Sequence, residues 1–413
     1  MNIIEDLELR GILKQISNKE KFLKLNPAET AIYGGFDPSA ISLHLGNYIL
    51  IATLKRFQQY GYTVYALVGG ATGMIGDPSF RNSERNLLDN ETIIKNKKNI
   101  IHQLKKQKLM VKDNLNFYKK MNVIDFLRNV GKLTNVSYML NKESVIKRIE
   151  KGLSFTEFTY QLLQGYDFLK LYQNNNVKVQ LGGSDQWGNI VTGLDMINKI
   201  EGDDHKAVGI TLDLLTDENG NKIGKSTGGG SLWLDKNLSS PYDMYQYLIN
   251  QSDLSAIKFL KWLTFLSLEK INNIASLHND NLKKRYAQKT LAYEVVKDIF
   301  GKKEAQITTK ISKVLFDKNF DLLKLNNLEI ERLKKYLPCL KIKLKTNIID
   351  CLIENKVLQS KREAREFINT GALKIDNDYL TLDTIFNPMY YESNYSFIKK
   401  GKKQIILLEK INI

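Results

Sequence analysis

Two apolar runs flanking one helical stretch constrain this chain more than anything else in it. Thr30 to Phe36 reads as a short buried strand and Thr63 to Val68 as a second. Between them a helical pattern runs from about His44 through Leu54 and Phe57 to a stop at Gly61. Such a unit makes a parallel pair of strands with a right-handed crossover. Val177 to Leu181 and Ala207 to Leu212 are further strand candidates with helices between them. Residues 1–234 are therefore expected to form an α/β domain, a doubly wound parallel sheet, with its ligand crevice at the carboxyl ends of the strands.

From about Pro241 the texture changes. Tyr242 to Asn250, Ser255 to Leu266 and Leu282 to Phe300 carry helical periodicity with few breakers, which predicts a helical domain over 235–337. Pro338 and the lysines after it suggest a linker over 338–345. Residues 346–413 are expected to form a small separate α/β unit with two helices and several short strands.

Composition narrows the partners. The net charge of +16 points to a polyanion, and 235–345 holds 21 Lys+Arg against 12 Asp+Glu, the largest share of the excess. A chain rich in Lys, Asn and Ile throughout is the competing explanation. The only cysteines, Cys339 and Cys351, argue against a disulfide framework, and four scattered histidines predict no protein-bound zinc. There is no apolar run of membrane-spanning length and no signal-peptide pattern, so a cytoplasmic protein without membrane attachment is expected.

Several motifs follow strands and open helices. At His44-Leu45-Gly46-Asn47 a helix N-terminus offers unpaired N–H groups to an anion. Gly34, Gly35 and Gly46 leave room for a ligand, and His44 and Ser39 carry donors. Alternatively, His44 caps its own helix. The glycine-rich stretch Gly69 to Pro78 ends at Asp77, a partner for an ammonium or a plain turn carboxylate. Arg81 and Arg85 lie just beyond it, suited to pyrophosphate or to a solvated helix face. Tyr160, Gln164 and Asp167 share one face of a largely apolar helix, as a solvent-facing stripe or a pocket wall. In Gly182-Gly183-Ser184-Asp185-Gln186, Ser184 or Asp185 serves as an N-cap, but the double glycine argues for close ligand approach. Lys222-Ile223-Gly224-Lys225-Ser226 misses the P-loop spacing by one residue and no helix follows, so it reads as a lysine-bearing lid over phosphates or a surface hairpin. In the last unit, Ser360 to Glu363 has a capping-box pattern that places Lys361, Arg362 and Arg365 in the first turns of a helix, against its dipole. Phosphate binding to RNA would explain that placement, and a solvated face is the alternative.

These motifs, from about residue 30 to the C-terminus, resemble those of the bacterial tyrosyl-tRNA synthetases, class I aminoacyl-tRNA synthetases: Tyr33 to Pro38, His44 to Asn47, Gly69 to Pro78, Ser154 to Phe158, Gly182 to Asn189 and Lys222 to Ser226. The resemblance implies a ligase that activates L-tyrosine with ATP, accompanied by Mg2+, and transfers it to tRNA(Tyr). It also implies a Rossmann-type catalytic domain, a helical domain near the anticodon, a small C-terminal RNA-binding module and a homodimer. By the same resemblance, Tyr33 and Asp167 would bond the substrate phenol. Asp77, Tyr160 and Gln164 would hold its ammonium, and Gln186 would lie near its carboxylate. His44, Ser39, Lys222, Lys225 and Ser226 would meet the phosphates, assisted by Arg81 and Arg85. Gly35, Asp37, Gly46, Asn47, Gly183 and Asp185 would border the rest of the nucleotide, and Lys361, Arg362 and Arg365 would bind RNA. Two departures stand out. Asn47 occupies the place of the signature's second histidine, and Gly34 stands where relatives often carry a small polar side chain.

Overall fold

Six strands form the first sheet in the order β1-β6-β5-β2-β3-β4, with β1 (Leu13–Ile16), β2 (Ala31–Phe36), β3 (Thr63–Val68), β4 (Met110–Asp113), β5 (Val177–Gly183) and β6 (Val208–Leu212). All neighbours are parallel except the β1–β6 edge pair. The chain runs outward from β2 to β3 and β4 on one side and from β5 to β6 on the other. The switch point, where a ligand crevice opens, therefore lies between β2 and β5. There Tyr33 sits beside Gln180 and Gly34 beside Leu181. β6 is buried along its whole length, Thr211 included, as an inner strand covered on both faces is. The computed structural model describes all residues except 80–87, 141–144, 147–148, 150–151, 217, 219, 221, 224–231, 317–323, 377, 390, 402–403 and 412–413.

Helix Leu45–Gln59 crosses from β2 to β3 and carries a charge into the core. Arg56 is buried, and its guanidinium donates to the carbonyls of Lys261 (3.1 Å), Trp262 (3.2 Å) and Thr264 at the end of helix Asp253–Leu263. Arg10 donates to the carbonyls of Lys261 and Leu266. Two cations thus satisfy carbonyls that a helix C-terminus leaves without intrahelical partners. Burial, with Arg10 nearby, lowers the Arg56 pKa to about 10, so it remains charged at neutral pH. On the same helix, Tyr48 donates to Asp298 (2.7 Å), which also pairs with Lys55.

Through these contacts helices Pro241–Ile249, Asp253–Leu263, Leu268–Asp280 and Tyr286–Phe300 join the first of two compact units, Met1–Phe300; the second is Gly301–Ile413. The stretch 338–345, expected to be a linker, instead contains a strand. β7 (Cys339–Ile342) pairs in parallel with β11 (Gln404–Lys410) at the edge of a second sheet, ordered β7-β11-β10-β8-β9. In that sheet β8 (Leu373–Ile375), β9 (Asp378–Tyr379) and β10 (Tyr395–Lys400) complete an antiparallel remainder. Helices Ile348–Glu354 and Lys361–Asn369 belong to this second unit.

Candidate active site

A cavity of about 510 Å³ opens at the switch point. Its wall includes Tyr33, Gly35, Asp37, Ser39, His44, Gly46, Asn47, Asp77, Tyr160, Gln164, Asp167, Gly183, Asp185, Gln186 and Lys222. The tertiary fold thus gathers residues that sequence places almost two hundred positions apart. Arg81, Arg85, Lys225 and Ser226 lie outside the described residues. Lys361, Arg362 and Arg365 lie in the other unit and are exposed.

The innermost polar groups come from β2, β4 and helix Phe155–Asn175. Tyr33 is 1% exposed, and its hydroxyl has no hydrogen-bond partner. An orphaned buried hydroxyl costs stability, and a ligand group that bonds to it removes that cost. Asp167, 2% exposed, accepts from the Asn114 amide and from the Tyr118 hydroxyl, each at 2.8 Å. Burial raises its pKa to about 8 against the pull of those two donors, with Asp37 and Asp113 adding to the rise. Burial also lifts Tyr33 well above the ordinary phenol value, with Asp167 contributing, and does the same to Tyr118, so both aromatic hydroxyls around Asp167 keep their protons.

A second network links this floor to the loop after β2. Asn114 also donates to Thr72 (3.1 Å), and Thr72 donates to Asp37 (2.7 Å). Tyr160 donates to the other Asp37 oxygen at 2.8 Å. Tyr160 thereby spends its proton on Asp37 and presents lone pairs, the right polarity for an ammonium. Asp77 accepts from Gln186 (2.8 Å) and from the Ser79 backbone N–H.

At the start of helix Leu45–Gln59, the Asn47 amide oxygen accepts from the His44 backbone N–H (3.1 Å), so Asn47 closes the helix start. The segment after the lysine loop returns beside it: Leu45 N–H donates to Leu232 O, Leu234 N–H to Leu43 O, and Trp233 packs against the His44 ring. The base of the loop rests on the same spot, because a Cβ on Gly46 would collide with the Ile223 carbonyl. Gly46 is thus where the helix start and the lysine loop touch, and any larger residue there forces them apart. Lys222 pairs with Asp185 at 2.9 Å across a half-exposed gap.

The glycines divide in two. Gly35 has open space around it and is the one exposed position in β2. Gly183 instead accommodates protein: a Cβ there would lie 2.7 Å from Asp185 Oδ1 and 2.9 Å from Leu214 Cδ2. Its partner Gly182 similarly faces Gln186 and Ile190. Gly34 faces Leu50 and Leu54 on the crossover helix, at 3.2 Å from an added Cβ.

Sequence inspection missed Asn114, Tyr118, Thr72 and Gln180. Gln180 is buried beside Tyr33 and lines the cavity. The one available signal was positional: Asp113-Asn114 ends a strand, where an open sheet places ligand contacts.

Known proteins share this geometry. Residues 26–317 match the family model of class I tRNA synthetases (W and Y), and residues 329–408 match the tyrosine–tRNA ligase SYY-like C-terminal domain. Sheet order, switch-point crevice and family match define a class I aminoacyl-tRNA synthetase. A tyrosine–tRNA ligase of Mycoplasmopsis agalactiae is 60% identical over 413 residues, covering 100% of each chain. One of Mycoplasmopsis synoviae is 52% identical, covering 98% of each. A C-terminally truncated mitochondrial tyrosyl-tRNA synthetase of Aspergillus nidulans superposes with a TM-score of 0.69 at 29% identity, over 76% of this chain and 94% of that one. The chain belongs to the tyrosine–tRNA ligase family.

Proposed function

We propose that this protein activates L-tyrosine with ATP, releasing pyrophosphate, and transfers the tyrosyl group to the 3′ end of tRNA(Tyr). The observation that carries the choice of amino acid is the buried, unpartnered Tyr33 hydroxyl at a cavity floor shared with Asp167. A phenolic hydroxyl satisfies that group, whereas phenylalanine leaves it orphaned. Amino-acid-dependent ATP–pyrophosphate exchange with tyrosine, tryptophan and phenylalanine tests the choice; a rate with tryptophan or phenylalanine matching tyrosine's refutes it.

In this reading Tyr33 and Asp167 take the phenol. Asp77, Tyr160 and Gln164 take the ammonium, and Gln186 lies beside the carboxylate. That carboxylate attacks the α-phosphorus and pyrophosphate leaves, a step that depends on positioning and on stabilising charge. His44, Ser39, Lys222, Lys225 and Ser226 surround the departing phosphates, with Arg81 and Arg85 assisting. Gly35, Asp37, Gly46, Asn47, Gly183 and Asp185 border the nucleotide. The Lys222–Asp185 pair is half-exposed, so opening it for ATP costs little. Magnesium enters as part of the ATP complex. The tRNA terminal hydroxyl then attacks the carbonyl carbon of the adenylate, the ester forms and AMP leaves.

Three further assignments complete the proposal. Val123, Ile124, Leu127, Val136 and Phe155 are all more than half exposed, a concentration of apolar surface that supports a homodimer. A sedimentation series that stays monomeric across concentration contradicts it. No helix among the described residues is long and apolar enough to cross a membrane, and the protein is assigned to the cytoplasm, where its substrates are. In the C-terminal unit the Ser360 hydroxyl caps the Glu363 N–H, and Glu363 itself turns to Lys400 (3.0 Å). Lys361 pairs with Asp350 (2.9 Å) and Arg362 lies 3.7 Å from Glu366, both as exposed surface contacts that phosphate can replace. Changing Lys361, Arg362 and Arg365 together to Ala is expected to leave tyrosine-dependent exchange unchanged while raising the KM for tRNA. The salt dependence of tRNA binding should flatten by roughly 0.7–0.9 in log–log slope for each phosphate that the variant no longer neutralises. An unaltered slope contradicts the RNA role.

A further inference from the structure

Behind Asp167, outside the cavity wall, stands Tyr118. It lies on the one-turn helix Leu115–Tyr118 that follows β4, and its ring packs on Tyr166 at 5.9 Å. Its hydroxyl lies 2.8 Å from Asp167 Oδ1 and 2.9 Å from the Leu163 carbonyl oxygen. The hydroxyl has one proton and two acceptors in reach. An ionised Asp167 draws that proton. A protonated Asp167 donates to the Tyr118 oxygen instead, and the Tyr118 proton turns to Leu163. The other carboxylate oxygen is held by Asn114, which also donates to Thr72 and so is tied to the Asp37 network. Tyr118 is therefore the contact of Asp167 that can follow its charge without leaving a buried group unpaired.

We propose that Tyr118 is a specificity-determining positioning residue, whose hydroxyl aims the Asp167 carboxylate and keeps it an acceptor for the substrate phenol. The inference rests on the assignment of that phenol to Tyr33 and Asp167. Nothing in the crossover helix or the phosphate end depends on Tyr118, so its effect should be confined to recognition of the amino-acid side chain.

The ionisable groups facing Asp167 are Asp37 and Asp113 from the strand ends, Tyr33 from β2, Tyr118, and Tyr160 from its own helix. The carboxylates oppose its ionisation and Tyr118 favours it. Loss of the Tyr118 hydroxyl therefore moves the acid limb of tyrosine kcat/KM to higher pH.

The test uses full-length Tyr118→Phe and Asp167→Asn in pyrophosphate exchange with tyrosine and with phenylalanine, from about pH 6.5 to 9. For Tyr118→Phe, tyrosine KM is expected to rise about tenfold with the ATP KM unchanged, the tyrosine-to-phenylalanine ratio to fall about tenfold, and the acid limb to move up. An unchanged ratio and an unmoved limb overturn the proposal. An equal loss for both amino acids also overturns it, because it assigns Tyr118 to packing alone. If Asp167→Asn leaves the tyrosine preference intact, the placement of the phenol itself fails. If Asp167→Asn lowers the preference and Tyr118→Phe does not, only the role of Tyr118 fails.

Discussion

At a pH above the Asp167 pKa of about 8, Asp167→Asn is expected to lower tyrosine kcat/KM in pyrophosphate exchange by about 10- to 150-fold while leaving phenylalanine almost unchanged, the value of a hydrogen bond to a charged group. The substitution is nearly isosteric, and the pocket can absorb it without a cavity. The Asn oxygen can accept from Asn114 while its amide nitrogen donates to Tyr118, whose own proton turns to the Leu163 carbonyl. What disappears is the anionic acceptor for the substrate hydroxyl. Tyrosine loses a charge-assisted bond; phenylalanine never had one. Tyrosine–tRNA ligases as a class are known for discrimination of about 10⁵-fold against phenylalanine. Part of it should persist in the variant, because Tyr33 still presents a buried hydroxyl. An unchanged ratio of tyrosine to phenylalanine activity would remove Asp167 from the recognition of the phenol.

The second large effect belongs to the other end of the cavity. His44→Ala is expected to slow single-turnover adenylate formation by about 10²- to 10³-fold, the range for removing one donor aimed at developing charge. The dissociation constant of tyrosine should change by less than about twofold, because a contact made only as charge builds on the phosphates does not affect ground-state binding of the amino acid. The position of His44 is held from three sides. Asn47 closes the helix start through the His44 N–H, Trp233 packs on the ring, and the 43–45 backbone is bonded on both flanks to the segment carrying Trp233. A rate within a few-fold of wild type, measured by quenched flow, would dismiss His44 as a phosphate contact.

Both effects depend on how the molecule divides its polar groups. At the floor, burial and nearby carboxylates make Asp167 reluctant to ionise, and two donors offset that pressure. At the mouth, Lys222 and Asp185 pair in a half-exposed setting, where screening keeps their interaction weak and exchangeable. The cavity is thus cross-bonded around buried Asp167 and loosely tied at the Lys222–Asp185 pair.

Much of this architecture was legible in one dimension. The strand–helix–strand unit appears with β2 at Ala31–Phe36 and β3 at Thr63–Val68, and β5 and β6 lie within two residues of their expected ends. The signals there are local: apolar runs bounded by turns and one helical period between glycines. The shared face of Tyr160, Gln164 and Asp167 followed from spacing alone. Whether that face met water or a cavity did not, since helical period carries no information about what packs opposite. Asn114 and Tyr118 had no signal beyond lying near a short strand's end, and they bond to Asp167 across about fifty residues of sequence. The supposed linker at 338–345 was misjudged because β7 is a strand only by virtue of β11, more than sixty residues later, and pairing of that range leaves no local mark. Local periodicity and turn chemistry therefore determined most of the elements and singled out many of the residues that line the cavity. Only the folded chain decided which acceptors are buried, which donors hold them, and which glycines face the cavity rather than the protein, because desolvation and hydrogen-bond partnership exist only once distant segments meet.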